Sequence, residues 1–92
     1  VEEEKMAADW NEIGRSLFQR WGASAYPSMD KDQVGDLLAI SIGLGALFNE
    51  DAAAEREWMQ SQHSAFRTRP ITMLLAGHIK QVLDQVNKER NL

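Results

Sequence analysis

The 92-residue chain has no cysteine, which removes disulfides, thiolate metal sites and cysteine nucleophiles from consideration. Histidine is almost as scarce. The two present, His63 and His78, lack the i, i+4 spacing that sets a pair of imidazoles on one helix face, and neither sits in a recognisable Ser-His-Asp signature. Both read as surface or capping residues, so no metal site and no catalytic residue is expected. The acids that stand close together, Glu2-Glu3-Glu4 and Glu55 with Glu57, fall at helix starts, where the helix dipole accounts for them. Gly43-x-Gly45 lies inside an apolar helical pattern and follows no strand, so it is not a phosphate-cradling loop. Neither enzymatic activity nor a bound cofactor is expected.

Long hydrophobic runs are missing too. The longest, Leu37 to Phe48, is interrupted by Ser41, Gly43 and Gly45 and falls short of the roughly 20 apolar residues that span a bilayer. No membrane association is expected. Val1-Glu2-Glu3-Glu4 is acidic where a secretory signal needs positive charge, and with cysteine absent a cytoplasmic location is the expectation. A content of 43% hydrophobic and 26% charged residues suits one small globular unit. A core this small leaves stability marginal, which makes a partner or a second copy useful.

Charge is unevenly spread. Residues 1–29 carry five acids and three bases, residues 30–66 seven and two, and residues 67–92 two and five, within a net charge of −4. The acidic middle opposes general nucleic-acid binding, which draws its affinity from phosphate neutralisation. The basic end, with Arg67, Arg69, Lys80, Lys88 and Arg90, suits an acidic surface or an ordinary solvated face.

What the chain has in abundance is helical periodicity. Met6, Trp10, Ile13, Leu17 and Trp21 recur at spacings of four, three, four and four and predict an amphipathic helix from about Glu3 to Trp21. Its stripe must be covered by the rest of the chain or by a second copy, so these five residues are the candidate dimerisation set. Gly14 within it costs about 1 kcal/mol against alanine and points to a close helix approach. After a connector broken at Tyr26-Pro27, Asp30 and Gln33 form a capping-box pair. The helix they open runs to about Phe48. With Val34, Leu37, Leu38, Ile40, Ile42, Leu44, Leu47 and Phe48 it is apolar nearly all round, and it belongs at the centre of a bundle, with Gly43 and Gly45 letting neighbouring backbones approach.

Asn49-Glu50-Asp51 ends that helix and caps the next, Ala52 to about Gln60. In the polar stretch that follows, Phe66 reads as a plug pinning the loop to the core. Pro70 opens a short helix that Gly77 closes. Ile79, Val82, Leu83 and Val86 predict a last helix from His78 to about Lys88. The fold class is therefore all-α, a small bundle of about five helices with no strands. The N-terminal amphipathic helix and connector occupy residues 1–28, and the rest of the bundle residues 29–92.

Phe18 to Ser24 has the character of the first helix and turn of a helix-turn-helix. A polar recognition helix should follow. The apolar helix from Asp30 takes its place, so a dimeric DNA-binding regulator is the second reading.

From Met29 onward the chain resembles the toxin-binding domain of the Xre/MbcA/ParS class of bacterial type II antitoxins. The likeness is carried by Asp30-Lys31-Asp32-Gln33, Ile42-Gly43-Leu44, Ala46-Leu47-Phe48, Ala54 to Trp58-Met59, Phe66, Arg69-Pro70-Ile71, Leu74-Leu75-x-Gly77 and Val82-Leu83, in that order. The resemblance implies an antitoxin of a toxin–antitoxin system. Its helical domain would cap a RES-type toxin, an NAD-consuming or ADP-ribosylating enzyme, and occlude the active site. Such antitoxins carry an N-terminal helix-turn-helix region that binds promoter DNA and mediates dimerisation. Here only one helix precedes Asp30, so the DNA-binding element is truncated and promoter binding stays open.

Trp58, Phe66, Pro70, Leu74 and Gly77 are then expected as scaffold. The partner-binding candidates are Arg67, Arg69, His78, Lys80, Gln81 and Asp84 around the short helix, with Lys88, Arg90 and Leu92 on a flexible end that reaches into the toxin's cleft. An arginine there would compete for groups that hold pyrophosphate or carboxylate.

Overall fold

A computed structural model describes residues 2–91, with side chains described from Trp10 onward. Met6 and Leu92 therefore lie outside the described side chains. Five helices follow in order: α1, Glu2–Arg20; α2, Lys31–Phe48; α3, Ala52–Gln60; α4, Pro70–Leu75; and α5, Ile79–Glu89. Among the described residues there is no strand, only a single antiparallel bridge between His63 and Thr68.

Helix α2 is the hub, packing on α5, α1 and α3, while α4 is held between α3 and α5. It opens as the sequence predicts. Asp30 Oδ1 accepts the Gln33 N–H at 2.9 Å, and Gln33 Oε1 accepts the Asp30 N–H at 3.1 Å. It ends on Asn49, whose left-handed φ of 53° turns the chain toward α3. Val34, Leu37, Ile40 and Leu44 are buried completely, together with Phe18, Trp21, Met59, Leu74, Val82 and Val86.

The apolar girdle of α2 is nevertheless incomplete. Ile42 keeps 67% of its surface exposed, because α1, α3 and α5 leave one face of the helix uncovered. The glycines make room for their neighbours. The side chains nearest them are the Tyr26 ring over Gly14, Val86 over Gly43 and the Glu50 carboxylate over Gly45. Tyr26 meets Phe18 edge-on at 5.3 Å, so the connector folds back onto α1 instead of crossing solvent.

Helix α1 is fastened at its C-terminal end. Gly22, at φ +87°, allows Ala23 N–H to reach Phe18 C=O at 2.9 Å and Gly22 N–H to reach Gln19 C=O at 3.0 Å. Side chains of α3 satisfy the remaining carbonyls: Arg56 Nε donates to Arg20 C=O at 3.2 Å, and Gln60 Nε2 to Trp21 C=O at 2.8 Å. Trp21 is fully buried, which removes it from the candidate dimerisation set. Its indole Nε1 is the buried side-chain polar atom without a hydrogen-bond partner.

The helix dipole is not the whole account of Glu55. Only 1% of its side chain is accessible, and it is gripped by Arg20 through Nε at 3.3 Å and Nη2 at 2.9 Å. The hydrogen bond and charge of Glu55 raise the Arg20 pKa above its already high ordinary value. A bidentate pair of this kind leaves the carboxylate stranded if the arginine goes.

Two outcomes follow for solution. Arg20→Ala should cost about 2–3 kcal/mol in urea unfolding, below the usual figure for a wholly buried pair because Arg20 is partly solvated, and Glu55→Met added to it should recover most of the loss. Burial pushes the Tyr26 phenol above its ordinary pKa, against a smaller opposing effect of Arg15. The neutral ring is therefore favoured in the folded state, and its contribution to stability is complete below the unfolded value of about 10 and fades as pH rises through the folded value. As the chain has one tyrosine, phenolate absorbance should titrate at higher pH in the native protein than in urea.

Candidate partner-binding surface

The polar stretch between α3 and α4 is built on one histidine. His63 C=O accepts the N–H groups of Phe66 at 3.1 Å and Arg67 at 2.8 Å, and His63 N–H reaches Thr68 C=O at 2.9 Å. The ring completes the turn. Nδ1 accepts the Ala65 N–H at 3.1 Å, which leaves the ring proton on Nε2, donated to Glu89 Oε2 at 2.9 Å. Closing so tight a turn drives Arg67 to φ +57°, a left-handed conformation that glycine adopts more cheaply.

Glu89, at the end of α5, gathers three partners. Besides His63 it accepts Trp58 Nε1 at 3.2 Å and Gln85 Nε2 at 3.2 Å. The rings of Trp58 and Phe66 lean on His63 at centroid distances of 5.5 Å and 5.2 Å. One carboxylate thus ties the loop and the last turn of α3 to α5. None of this was legible beforehand, because Glu89 and His63 stand 26 residues apart and no local pattern joins them. Gln85, one turn before Glu89, was the only local hint.

The other expected scaffold residues sit as follows. Pro70 and Leu74 are buried and Trp58 and Phe66 half-buried. Gly77, at φ +90° with open space around it, serves the backbone: Gly77 N–H reaches Leu74 C=O at 3.0 Å and His78 N–H reaches Met73 C=O at 2.9 Å.

The expected contact residues divide into groups. His78, Lys80 and Gln81 line a cleft of about 310 Å³ with Gln33 and Asp36 of α2, and Lys80 Nζ stands 3.3 Å from Asp36 Oδ2. Gln81, Asp84 and Lys88 line a second groove of about 400 Å³ whose apolar wall is Phe66, Met73 and Ala65. Arg67 projects from the turn beside it and is exposed. Arg69 bends away, donating through Nη1 to Gln60 Oε1 at 2.8 Å.

The expected flexible end begins later than Lys88 among the described residues. Lys88 and Glu89 are helical and Arg90 is the C-cap of α5. Two residues of helix turn Arg90 away from Lys88, and its stem passes 3.4 Å from where a Cβ would stand at Gly43. The structure therefore separates Arg90 from the other candidates. On α1, Trp10, Ile13 and Leu17 are half-buried, and Ile13 and Leu17 line a shallow depression with Glu12, Ser16 and Arg20.

Pairing leaves a distinct residue of charge at this end. Glu89 is taken up by His63 and Lys80 by Asp36. The side chains of Arg67, Asp84 and Lys88 make no hydrogen bond or ion pair among the described residues.

The family model for the antitoxin Xre/MbcA/ParS C-terminal toxin-binding domain matches residues 44–91. The match begins inside α2, later than Met29, and takes in α3, the His63 turn, α4 and α5. No curated protein and no solved structure matches the chain.

If Glu89 is the clasp, Glu89→Ala should loosen the turn without unfolding the bundle. Loss of even one such bond is worth about 1 kcal/mol, so tryptic cleavage after Arg67 should quicken about fivefold or more while the far-UV circular dichroism stays unchanged.

Proposed function

The chain belongs to the family of Xre/MbcA/ParS antitoxin C-terminal toxin-binding domains, and from that premise we propose that it neutralises a RES-type toxin, an NAD-consuming or ADP-ribosylating enzyme, by seating its α4–α5 end over the toxin's active site. Its role is that of the antitoxin in a toxin–antitoxin pair. The observation that carries the reading is the matched segment, residues 44–91, which includes the whole surface formed by the His63 turn, α4 and α5.

Inhibition by occlusion asks for a rigid, pre-shaped surface and no reactive group. Rigidity lowers the entropy lost on association. The hydrogen bonds to Glu89 hold the turn against α5 before any partner arrives, which supports this mode of action. In our reading the protein works in the cytoplasm, without a cofactor and without catalysis of its own.

DNA binding is not what we propose for the chain. The helix after the first turn is α2, and its exposed positions Lys31, Asp32, Gly35, Ile42 and Ala46 offer one base, one acid and otherwise small or apolar groups. A recognition helix needs side chains that bond to base edges and phosphates.

The test is direct. Produced together with the RES-domain protein encoded beside it, the chain should co-purify and abolish that protein's NAD consumption, and alone it should consume no NAD. A neighbouring toxin that neither associates nor loses activity would overturn the assignment.

A further inference from the structure

We infer that the groove between the His63 turn and α5 is the primary contact of the toxin, and that it takes an apolar side chain which the toxin presents among carboxylates. This rests on the antitoxin reading and adds where the partner is gripped and by what chemistry. Phe66 and Met73 are half-buried and form the apolar wall, and Gln81, Asp84, Gln85 and Lys88 form the polar rim. An apolar floor ringed by polar groups is the arrangement that seats a single anchoring side chain.

Two independent observations name the occupant's charge. The first is electrostatic: residues 30–66 carry seven acids against two bases, while residues 67–92 carry five bases against two acids. One of those two acids, Glu89, is already satisfied within the molecule. An acidic surface is thus repelled by the middle of the chain and drawn to this end, where the side chains of Arg67 and Lys88 are free of internal partners among the described residues. Asp84, the rim's remaining acid, leaves a place for one donor among the partner's carboxylates.

The second observation is conformational. Arg67, next in the chain to the groove's Phe66, holds a φ of +57°, where glycine would be the easier choice. Strain kept at a surface turn, with the side chain exposed and engaged by nothing described, belongs to a residue whose use lies outside the fold.

Three variants read this out, each assayed for affinity to the neighbouring RES-domain protein by titration calorimetry. Arg67→Gly should raise the urea midpoint of the free chain yet weaken binding about tenfold, a combination that a purely structural arginine would not give. Gln81→Trp, at an exposed helical position, should fill the groove and weaken binding by a similar factor. Lys88→Glu should weaken binding chiefly at low salt. Lys31→Glu, on the far end of α2, should bind like the parent. Parent-like affinity in the first three variants overturns the groove assignment and leaves the antitoxin reading standing. If the parent chain fails to bind the toxin, the antitoxin reading falls and the groove assignment with it.

Discussion

An eighteen-residue helix that is apolar on nearly every side cannot stand in water, and the chain is arranged to hide it. Helices α1, α3 and α5 each cover part of α2, and the buried stripe Val34, Leu37, Ile40 and Leu44 is where they meet. Burying side chains of this size contributes roughly 1.5–3 kcal/mol apiece before entropy is counted. Removing the hub would leave no two of the remaining helices able to form a core, apart from the small contacts of α4. The uncovered side at Ile42 is the face that these three neighbours leave open.

A hub fixes where helices lie and says little about the turns between them. Those are held by charge. Glu55 on α3 receives Arg20 of α1, and Glu89 on α5 receives His63, Trp58 and Gln85. Each carboxylate joins elements distant in sequence. The second also settles which charges remain available to a partner, because it withdraws an acid from an otherwise basic end.

Periodicity and punctuation made the helices readable. The Asp30–Gln33 box, Pro70 at the first position of α4 and Gly77 after its end are local devices whose physics is complete within a few residues. The 3.6-residue repeat of α5 is equally self-contained. Illegible were the features that depend on where two helices happen to meet. Glu55 looked like any acid at a helix start until α1 delivered Arg20, and periodicity alone left open whether Trp21 was covered within the chain or by a second copy. The contact residues named from the resemblance were only partly brought together. Gln81, Asp84 and Lys88 share a groove, whereas Arg69 and Arg90 are turned elsewhere by Gln60 and by the pitch of α5.

Helix α3 supplies the hydrogen-bond donors that finish the end of α1, through Arg56 and Gln60, while α1 supplies the cation that Glu55 needs. The dependence runs both ways, so neither stretch is a stable remainder of the other. A break in the connector would therefore weaken both elements at once, α1 through its capping donors and α3 through the cation that Glu55 needs.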